Sequence, residues 1–199
     1  LVEEISSFKS TKSELVAELS GYIRNNGNRT KNHIVMSTEN KWIMDRISNA
    51  LKDFYNIDLA IEVVENLNFS KKDLYQIKIP ISNDKCLKEL GILDENNNYL
   101  DNLPEYIIDS NEEIKGYLRG VFLASGSIND PKTSRYHMEL LIGKPEESIL
   151  VQKLLNMFDL NAKILNREKG YMIYIKEAEK ISDFIKILGA TKAVLYYEN

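Results

Sequence analysis

Leu118-Arg119-Gly120-Val121-Phe122-Leu123-Ala124-Ser125-Gly126 decides how this chain is read, because a stretch of similar spacing occurs earlier, Leu19-Ser20-Gly21-Tyr22-Ile23-Arg24-Asn25-Asn26-Gly27. A shift of 99 residues lays Leu19 on Leu118, Gly21 on Gly120 and Gly27 on Gly126. The same shift lays Thr11 on Ser110, Glu14 on Glu113 and Ala17 on Gly116. Later the offset drifts: Leu87-Lys88-Glu89-Leu90-Gly91 falls on Ile185-Lys186-Ile187-Leu188-Gly189 at 98, and Tyr55-Asn56-Ile57 on Phe158-Asp159-Leu160 at 103. Ordered coincidences with a drifting offset are what a tandem duplication leaves once loops change length. The expected units are residues 1–105 and 106–199, meeting around Leu103-Pro104-Glu105.

Each half reads as the same series of elements. A first helix is expected over 12–25 and again over 111–124, opened by the capping boxes Thr11-x-x-Glu14 and Ser110-x-x-Glu113. Gly27 and Gly126 follow, as residues that tolerate left-handed geometry at a helix end. Strand regions come next, over 28–37 and 126–142, the latter with a hairpin around Asn129-Asp130-Pro131. Trp42, Ile43, Ile47, Leu51 and Phe54 give helical spacing over 39–55; Ile149, Leu150, Leu154 and Phe158 do so over 146–158. Two strands follow in each half, 58–65 with 73–80 and 161–166 with 171–176. In the first pair Leu59, Ile61, Val63 and Tyr75, Ile77, Ile79 alternate with polar residues. Helices over 83–90 and 177–188 close the halves.

The first helices carry small residues every four positions: Ser13, Ala17 and Gly21, then Gly116, Gly120 and Ala124. Residues four apart share a helix face. A stripe of small side chains lets two helix backbones approach closely, which offsets the roughly 1 kcal/mol that Gly costs against Ala inside a helix. Ala17, Gly21, Gly116, Gly120 and Ala124 are therefore expected to form a seam between the halves, about a pseudo-two-fold axis.

Composition limits the function classes. With 43% hydrophobic residues and only four Pro in 199, the chain can bury a sizeable core and is not a disordered tail. No run of about 18 apolar residues is present to span a membrane, and no secretory pattern opens the chain, so a soluble cytoplasmic protein is expected. The single Cys86 excludes an internal disulfide and reads as a small buried apolar residue. His33 and His137 form no metal-ligand spacing with it or with each other, and no phosphate-binding glycine loop occurs. No metal and no cofactor are expected.

The net charge of −4 argues against a wholesale polyanion binder, but its distribution does not. The strand-rich stretches 28–37, 57–80, 127–142 and 161–176 hold 11 Lys and Arg against 7 Asp and Glu. Alternation puts Arg29, Lys31 and His33 on one strand face and Ile34 and Met36 on the other. Arg135 and His137 share a face opposite Met138, Leu140 and Ile142. Lys163, Arg167 and Lys169 flank the last hairpin, with Lys71, Lys72 and Lys78 in the corresponding place of the first half and Lys132 beside the Asn129 turn. Glu62, Glu65 and Glu139 interrupt this basic surface. Tyr75 and Tyr174 are expected in the core.

The two glycine-spaced stretches resemble two copies of the LAGLIDADG motif of homing endonucleases. The wider segments Tyr117-Leu118-Arg119-Gly120-Val121-Phe122-Leu123-Ala124-Ser125-Gly126-Ser127-Ile128-Asn129-Asp130-Pro131 and Lys169-Gly170-Tyr171-Met172-Ile173-Tyr174-Ile175-Lys176-Glu177-Ala178-Glu179-Lys180-Ile181 resemble more specifically the N-terminal region of the WhiA family. The ending, from Leu188-Gly189-Ala190 to Tyr197-Glu198-Asn199, is similar too. The likeness is strong over 111–199 and weaker over 12–110. It implies an α+β fold of two pseudo-two-fold αββαββα repeats. Their mixed or antiparallel sheets form a saddle, with helices on the back and the two motif helices packed at the centre. It also implies a helix-turn-helix domain beyond residue 199.

The function implied is that of a bacterial DNA-binding regulator of transcription, sporulation-type differentiation, cell division and chromosome segregation. Such a protein would be nucleoid-associated, would be a monomer with internal pseudo-symmetry, and would bind double-stranded DNA and division or transcription proteins. In active homing endonucleases the acidic residue before the last Gly of each motif binds the divalent metal; here those positions are Asn26 and Ser125. Neither supplies the anionic oxygen that such an ion needs. The expectation is a catalytically inactive scaffold, not an enzyme. The alternatives are an active or relic homing endonuclease with relocated ligands, and a protein-interaction module.

Overall fold

A computed structural model describes residues 1–65, 72–129, 132, 135–190 and 192–194. A short helix α1 (Val2–Ser6) precedes α2 (Lys12–Asn26), β1 (Asn28–Arg29), β2 (His33–Thr38), α3 (Lys41–Tyr55), β3 (Glu62–Val64), β4 (Leu74–Pro80) and α4 (Asp84–Glu89). A 3₁₀ turn, Glu105–Ile108, leads into the second series: α5 (Asn111–Ser125), β5 (Gly126–Ile128), β6 (Met138–Ile142), α6 (Pro145–Met157), β7 (Lys163–Arg167), β8 (Gly170–Ile175) and α7 (Ala178–Ile187). From α2 and from α5 the order is αββαββα. Each half contributes one antiparallel four-stranded sheet, β1-β2-β4-β3 and β5-β6-β8-β7, so neither sheet is mixed.

Local chemistry sets the helix ends. Ser110 accepts from the Glu113 amide while Glu113 accepts from the Ser110 amide, a reciprocal cap of α5. Thr11 accepts from the Glu14 amide, but its hydroxyl donates to the Glu14 carboxylate, so the α2 cap is one-sided. Asn40 caps α3 by accepting from Trp42 and Ile43, and Asn56 ends it in left-handed geometry, φ 54°. Gly27 and Gly126 are not left-handed: both are extended, at φ −67° and −96°. Their glycines answer to space, since a Cβ at 27 would meet the Ile23 carbonyl oxygen at 2.7 Å and one at 126 would enter the Phe122 ring.

α2 and α5 pack on each other at the centre. A Cβ built on Gly21 falls 2.5 Å from the Tyr117 carbonyl oxygen, and one on Gly116 falls 2.5 Å from that of Glu14. On Gly120 it falls nearer still to the Glu18 carbonyl oxygen. The Gly21–Tyr117 and Gly120–Glu18 contacts are the same contact made twice, because a 99-residue shift carries Gly21 to Gly120 and Glu18 to Tyr117. That reciprocity is the mark of a two-fold interface. Ala17 is fully buried in α2, and Ala124 is half-buried near the end of α5.

A buried ionic cluster locks one side of this seam. Glu18, 1% exposed, accepts from Arg46 Nε at 2.6 Å and Nη2 at 2.9 Å, and from Arg119 Nη1 at 3.4 Å. Arg46 also donates to the Ser6 and Phe8 carbonyls. Arg119 donates to the Leu188 carbonyl and lies over the Phe8 ring, 4.3 Å from its centroid. Burial pulls the Arg119 guanidinium below its ordinary pKa, and the Glu18 charge opposes that shift. Buried charge is tolerated only where paired and hydrogen-bonded, and this cluster ties α1, α2, α3, α5 and the segment after α7 to one carboxylate.

Helices cover one face of each sheet. Ile34, Met36, Ile77 and Ile79 of the first sheet and Met138, Leu140, Ile173 and Ile175 of the second are buried toward them. The long helical stripes are narrower than their spacing suggests, since Trp42 and Ile149 are exposed. Leu59 and Ile61 lie before β3 rather than in it, and Val63 is exposed. Cys86 is buried, which pushes its thiol up to about 12. Among the described residues no helix is long and apolar enough to cross a membrane.

Candidate nucleic-acid interface

The sheet faces turned away from the helices are open, and strand register fixes what they present. In the first sheet β2 contributes His33, Val35 and Ser37, β4 contributes Leu74, Gln76, Lys78 and Pro80, and β3 contributes Glu62 and Val64. In the second, β5 contributes Ser127, β6 contributes Glu139 and Leu141, β8 contributes Met172 and Tyr174, and β7 contributes Lys163, Leu165 and Arg167. Period-2 alternation continues this face to His137 at one strand end and Lys176 at the other.

The cations fall unevenly on the two sheets. On the second, Lys163, Arg167 and Lys176 are exposed, and Glu139 is the one carboxylate on this face of the described strands. Arg167 donates to the Met172 sulfur at 3.1 Å, folding its stem over the sheet. His137 stacks on Tyr174, ring centroids 6.1 Å apart and 18° from parallel, with Lys176 Nζ 5.3 Å from the Tyr174 centroid. Arg135, Tyr136, His137 and Lys176 line a groove of about 510 Å³ there. Lys169 is exposed in the β7–β8 turn, and Lys132 is exposed between β5 and β6. On the first sheet Lys78 is paired with Glu62 at 3.7 Å, leaving His33 at the strand edge, Lys31 in the β1–β2 turn and Lys72 before β4. Lys71 lies outside the described residues, as do Asp130 and Pro131 of the expected hairpin; Asn129 and His137 extend the β5–β6 ladder, bonded through both backbone and side chain.

Two sequence expectations are corrected. Arg29 does not share a face with His33. The chain reverses between β1 and β2, so Arg29 pairs across with the inward Ile34, and its guanidinium donates to the Asn97 carbonyl at 2.6 Å. Alternation counts along one strand and does not carry through a hairpin. Tyr174 is not core: it stands on the open face beside His137, half-buried. Lys176 escaped notice, although it is the next alternate position after Tyr174.

The ends of the two motif helices hold Asn26 and Ser125, the positions at which the sequence resemblance implies metal-binding acids in an active enzyme. Asn26 spends its amide on β2, donating from Nδ2 to the Ser37 carbonyl and accepting at Oδ1 from the Ser37 amide, both at 2.9 Å. Ser125 donates back along its own helix to the Val121 carbonyl. Glu147 lines a cavity of about 230 Å³ together with Arg24, Asn25, Asn26, Tyr99 and Lys144. It is 5% exposed and already engaged: Tyr117 donates to it at 2.6 Å, Asn25 at 2.7 Å, and Arg24 Nε lies 3.7 Å away. Burial, and next the Glu147 charge, push the Tyr117 phenol well above its ordinary pKa. One buried carboxylate among Arg24, Lys144 and amides is the wrong donor set for a divalent cation, which takes several anionic or carbonyl oxygens. Among the described residues no three His, Cys, Asp or Glu side chains are grouped to hold a metal.

Comparison with known proteins returns the same architecture. Residues 12–93 match the WhiA N-terminal LAGLIDADG-like domain, and residues 114–199 match the WhiA LAGLIDADG-like domain. A probable cell division protein WhiA of Exiguobacterium sibiricum is 38% identical over 99% of this chain and 64% of its own length. The chain spans less than two thirds of the length of such curated relatives. The crystal structure of full-length WhiA from Thermatoga maritima superposes with a TM-score of 0.75 at 21% identity, over 99% of this chain and 63% of that one. The homing endonuclease I-DmoI, solved in complex with DNA and Mn, gives 0.59 at 15% identity, over 89% and 97%. These two structural likenesses are of fold.

Proposed function

The chain belongs to the WhiA family, and on that footing we propose that it binds double-stranded DNA through the open faces of its two sheets without cleaving it. Residues 1–105 and 106–199 act as the two units of one pseudo-symmetric domain. The cellular role is regulation of transcription in cell division, chromosome segregation and sporulation-type differentiation. The observation that carries the reading is the open face of the second sheet. Lys163, Arg167 and Lys176 stand there with Arg135 and His137, facing one carboxylate. A sheet with one face on helices and one basic face outward suits phosphate contacts along a groove. The metal-ligand positions support the absence of cleavage, since Asn26 and Ser125 are neutral and bonded within the fold.

Affinity for duplex DNA measured against salt tests this. Every phosphate that a Lys or Arg neutralises adds roughly 0.9 to the steepness of log K against log salt. Lys163→Ala with Arg167→Ala should therefore flatten the slope by about 1.8. Binding indifferent to salt refutes the DNA reading and favours a protein-docking module. Plasmid cleavage in Mg²⁺ or Mn²⁺ that a motif-helix substitution abolishes refutes the inactive scaffold and restores the nuclease alternative.

A further inference from the structure

The two open faces are built on the same grid but carry opposite chemistry in one row. Aligning the ladders so that the inward pairs Ile34–Ile79 and Met138–Ile175 coincide also aligns Asn28–Val35 with Ser127–Glu139. The central row then reads Ser37, Gln76, Glu62 in the first sheet and Leu141, Met172, Leu165 in the second. The first row is polar, and Gln76 Nε2 donates to the Ser37 hydroxyl at 3.0 Å. The second is apolar, with Leu141 54% and Leu165 47% exposed on either side of a covered Met172. An isolated exposed leucine is ordinary. Two in a row across three strands, flanked on the same face by Lys163, Arg167 and Lys176, are an apolar strip set in a cationic frame.

Resting on the DNA-binding reading, we infer that Leu141 and Leu165 are specificity residues that contact thymine 5-methyl groups, so that this row of the second sheet prefers thymine-bearing base pairs and the equivalent row of the first does not. The occupant follows from complementarity. A major groove offers one apolar group, the thymine methyl, between two walls of phosphate. Leu141 and Leu165 are two strand spacings apart, about 10 Å, which fits inside a groove about 12 Å wide. Lys163, Arg167 and Lys176 then face the phosphate walls. The equivalent row of the first sheet, Ser37, Gln76 and Glu62, can exchange hydrogen bonds with base edges but has no apolar surface for a methyl; Val35, Leu74 and Val64 of that face lie in other rows. A bound duplex is therefore read by unlike chemistry in its two halves.

The test begins with short random duplexes selected for tight binding, then remade with uracil in place of thymine in one half at a time. Uracil differs from thymine only by the methyl group, so phosphates and hydrogen-bonding edges are unchanged. Uracil in one half should weaken binding roughly tenfold, because two methyl groups are no longer there to be buried against leucine. In the other half it should weaken binding less, and the Leu141 and Leu165 substitutions should leave that smaller loss unchanged. The Leu141→Gln, Leu165→Gln double variant alters exposed positions, so it should keep wild-type thermal stability while losing the preference for thymine in the sensitive half. Salt-dependent binding with equal affinity for the two half-substituted duplexes, or a thymine preference in the sensitive half that survives the double variant, overturns this inference and leaves the DNA reading standing. No salt-dependent binding to any duplex overturns both.

Discussion

Substituting Gly120 by Ala adds one methyl group at the closest point of the α2–α5 seam. The new Cβ is driven onto the Glu18 carbonyl oxygen, and lies 2.9 Å from both the Glu18 carbonyl carbon and the Tyr22 amide nitrogen. All three neighbours are helix backbone, so no side chain can swing away and the two helices must separate. Overpacking of this kind costs about 1–3 kcal/mol, and a rigid backbone obstacle points to the upper end. Ala regains about 1 kcal/mol of helix propensity over Gly, leaving a net loss of about 2 kcal/mol. For a chain of this size that lowers Tm by about 4–8 °C. Gly143→Ala is the control, because nothing lies within 4 Å of its Cβ position and Tm should hold. Gly21→Ala meets the Tyr117 carbonyl in the reciprocal position and should cost about as much as Gly120→Ala. The double variant should cost less than the sum, since a seam already parted by one methyl has room for the other. Thermal melts of the parent and the four variants decide it. A Gly120→Ala protein as stable as the parent, or strict additivity of the pair, would refute the reciprocal-seam argument.

Two other outcomes are expected. Glu18→Ala leaves Arg46 and Arg119 buried without their shared counter-charge and should lower stability by about 3–5 kcal/mol; a denaturant midpoint close to the parent's would mean that the cluster holds nothing together. Cys86, whose thiol burial lifts from 9.0 to about 12, stays neutral in the fold, so its contribution to stability is complete below pH 9 and is lost as pH rises toward 12. Iodoacetamide should therefore label the native protein far more slowly than the unfolded chain at neutral pH, and equal labelling rates would contradict the burial of Cys86.

What could be read from the sequence was what is local. Caps at Thr11 and Ser110, the four-residue spacing of Gly116, Gly120 and Ala124, and the inward alternation of Ile77 and Ile79 each involve residues within a turn or two of one another. They gave the element order within a few residues. The Glu18 cluster joins residues 28 and 101 positions apart, and Glu147 meets Tyr117 across 30; no spacing rule reaches that far. α1 was missed because five residues carry too little periodicity. The apolar row was hidden for a different reason: alternation placed Met138, Leu140 and Ile142 inward, as the structure has them, but Leu141, Met172 and Leu165 are as apolar as the inward residues beside them, so nothing in their type marked them as an outward row. Arg29 was misplaced because its turn lay inside a stretch read as one strand.

The unlike rows of the two sheets give the molecule a heading. A body with strict two-fold symmetry lands on its target in two equivalent orientations, and anything tethered to it points either way with equal chance. Here the seam keeps the symmetry while Ser37–Gln76–Glu62 and Leu141–Met172–Leu165 break it at the surface. Turning the chain end for end exchanges a polar row for an apolar one, so the two orientations differ in energy. A scaffold of this kind can act as an arrow as well as a clamp.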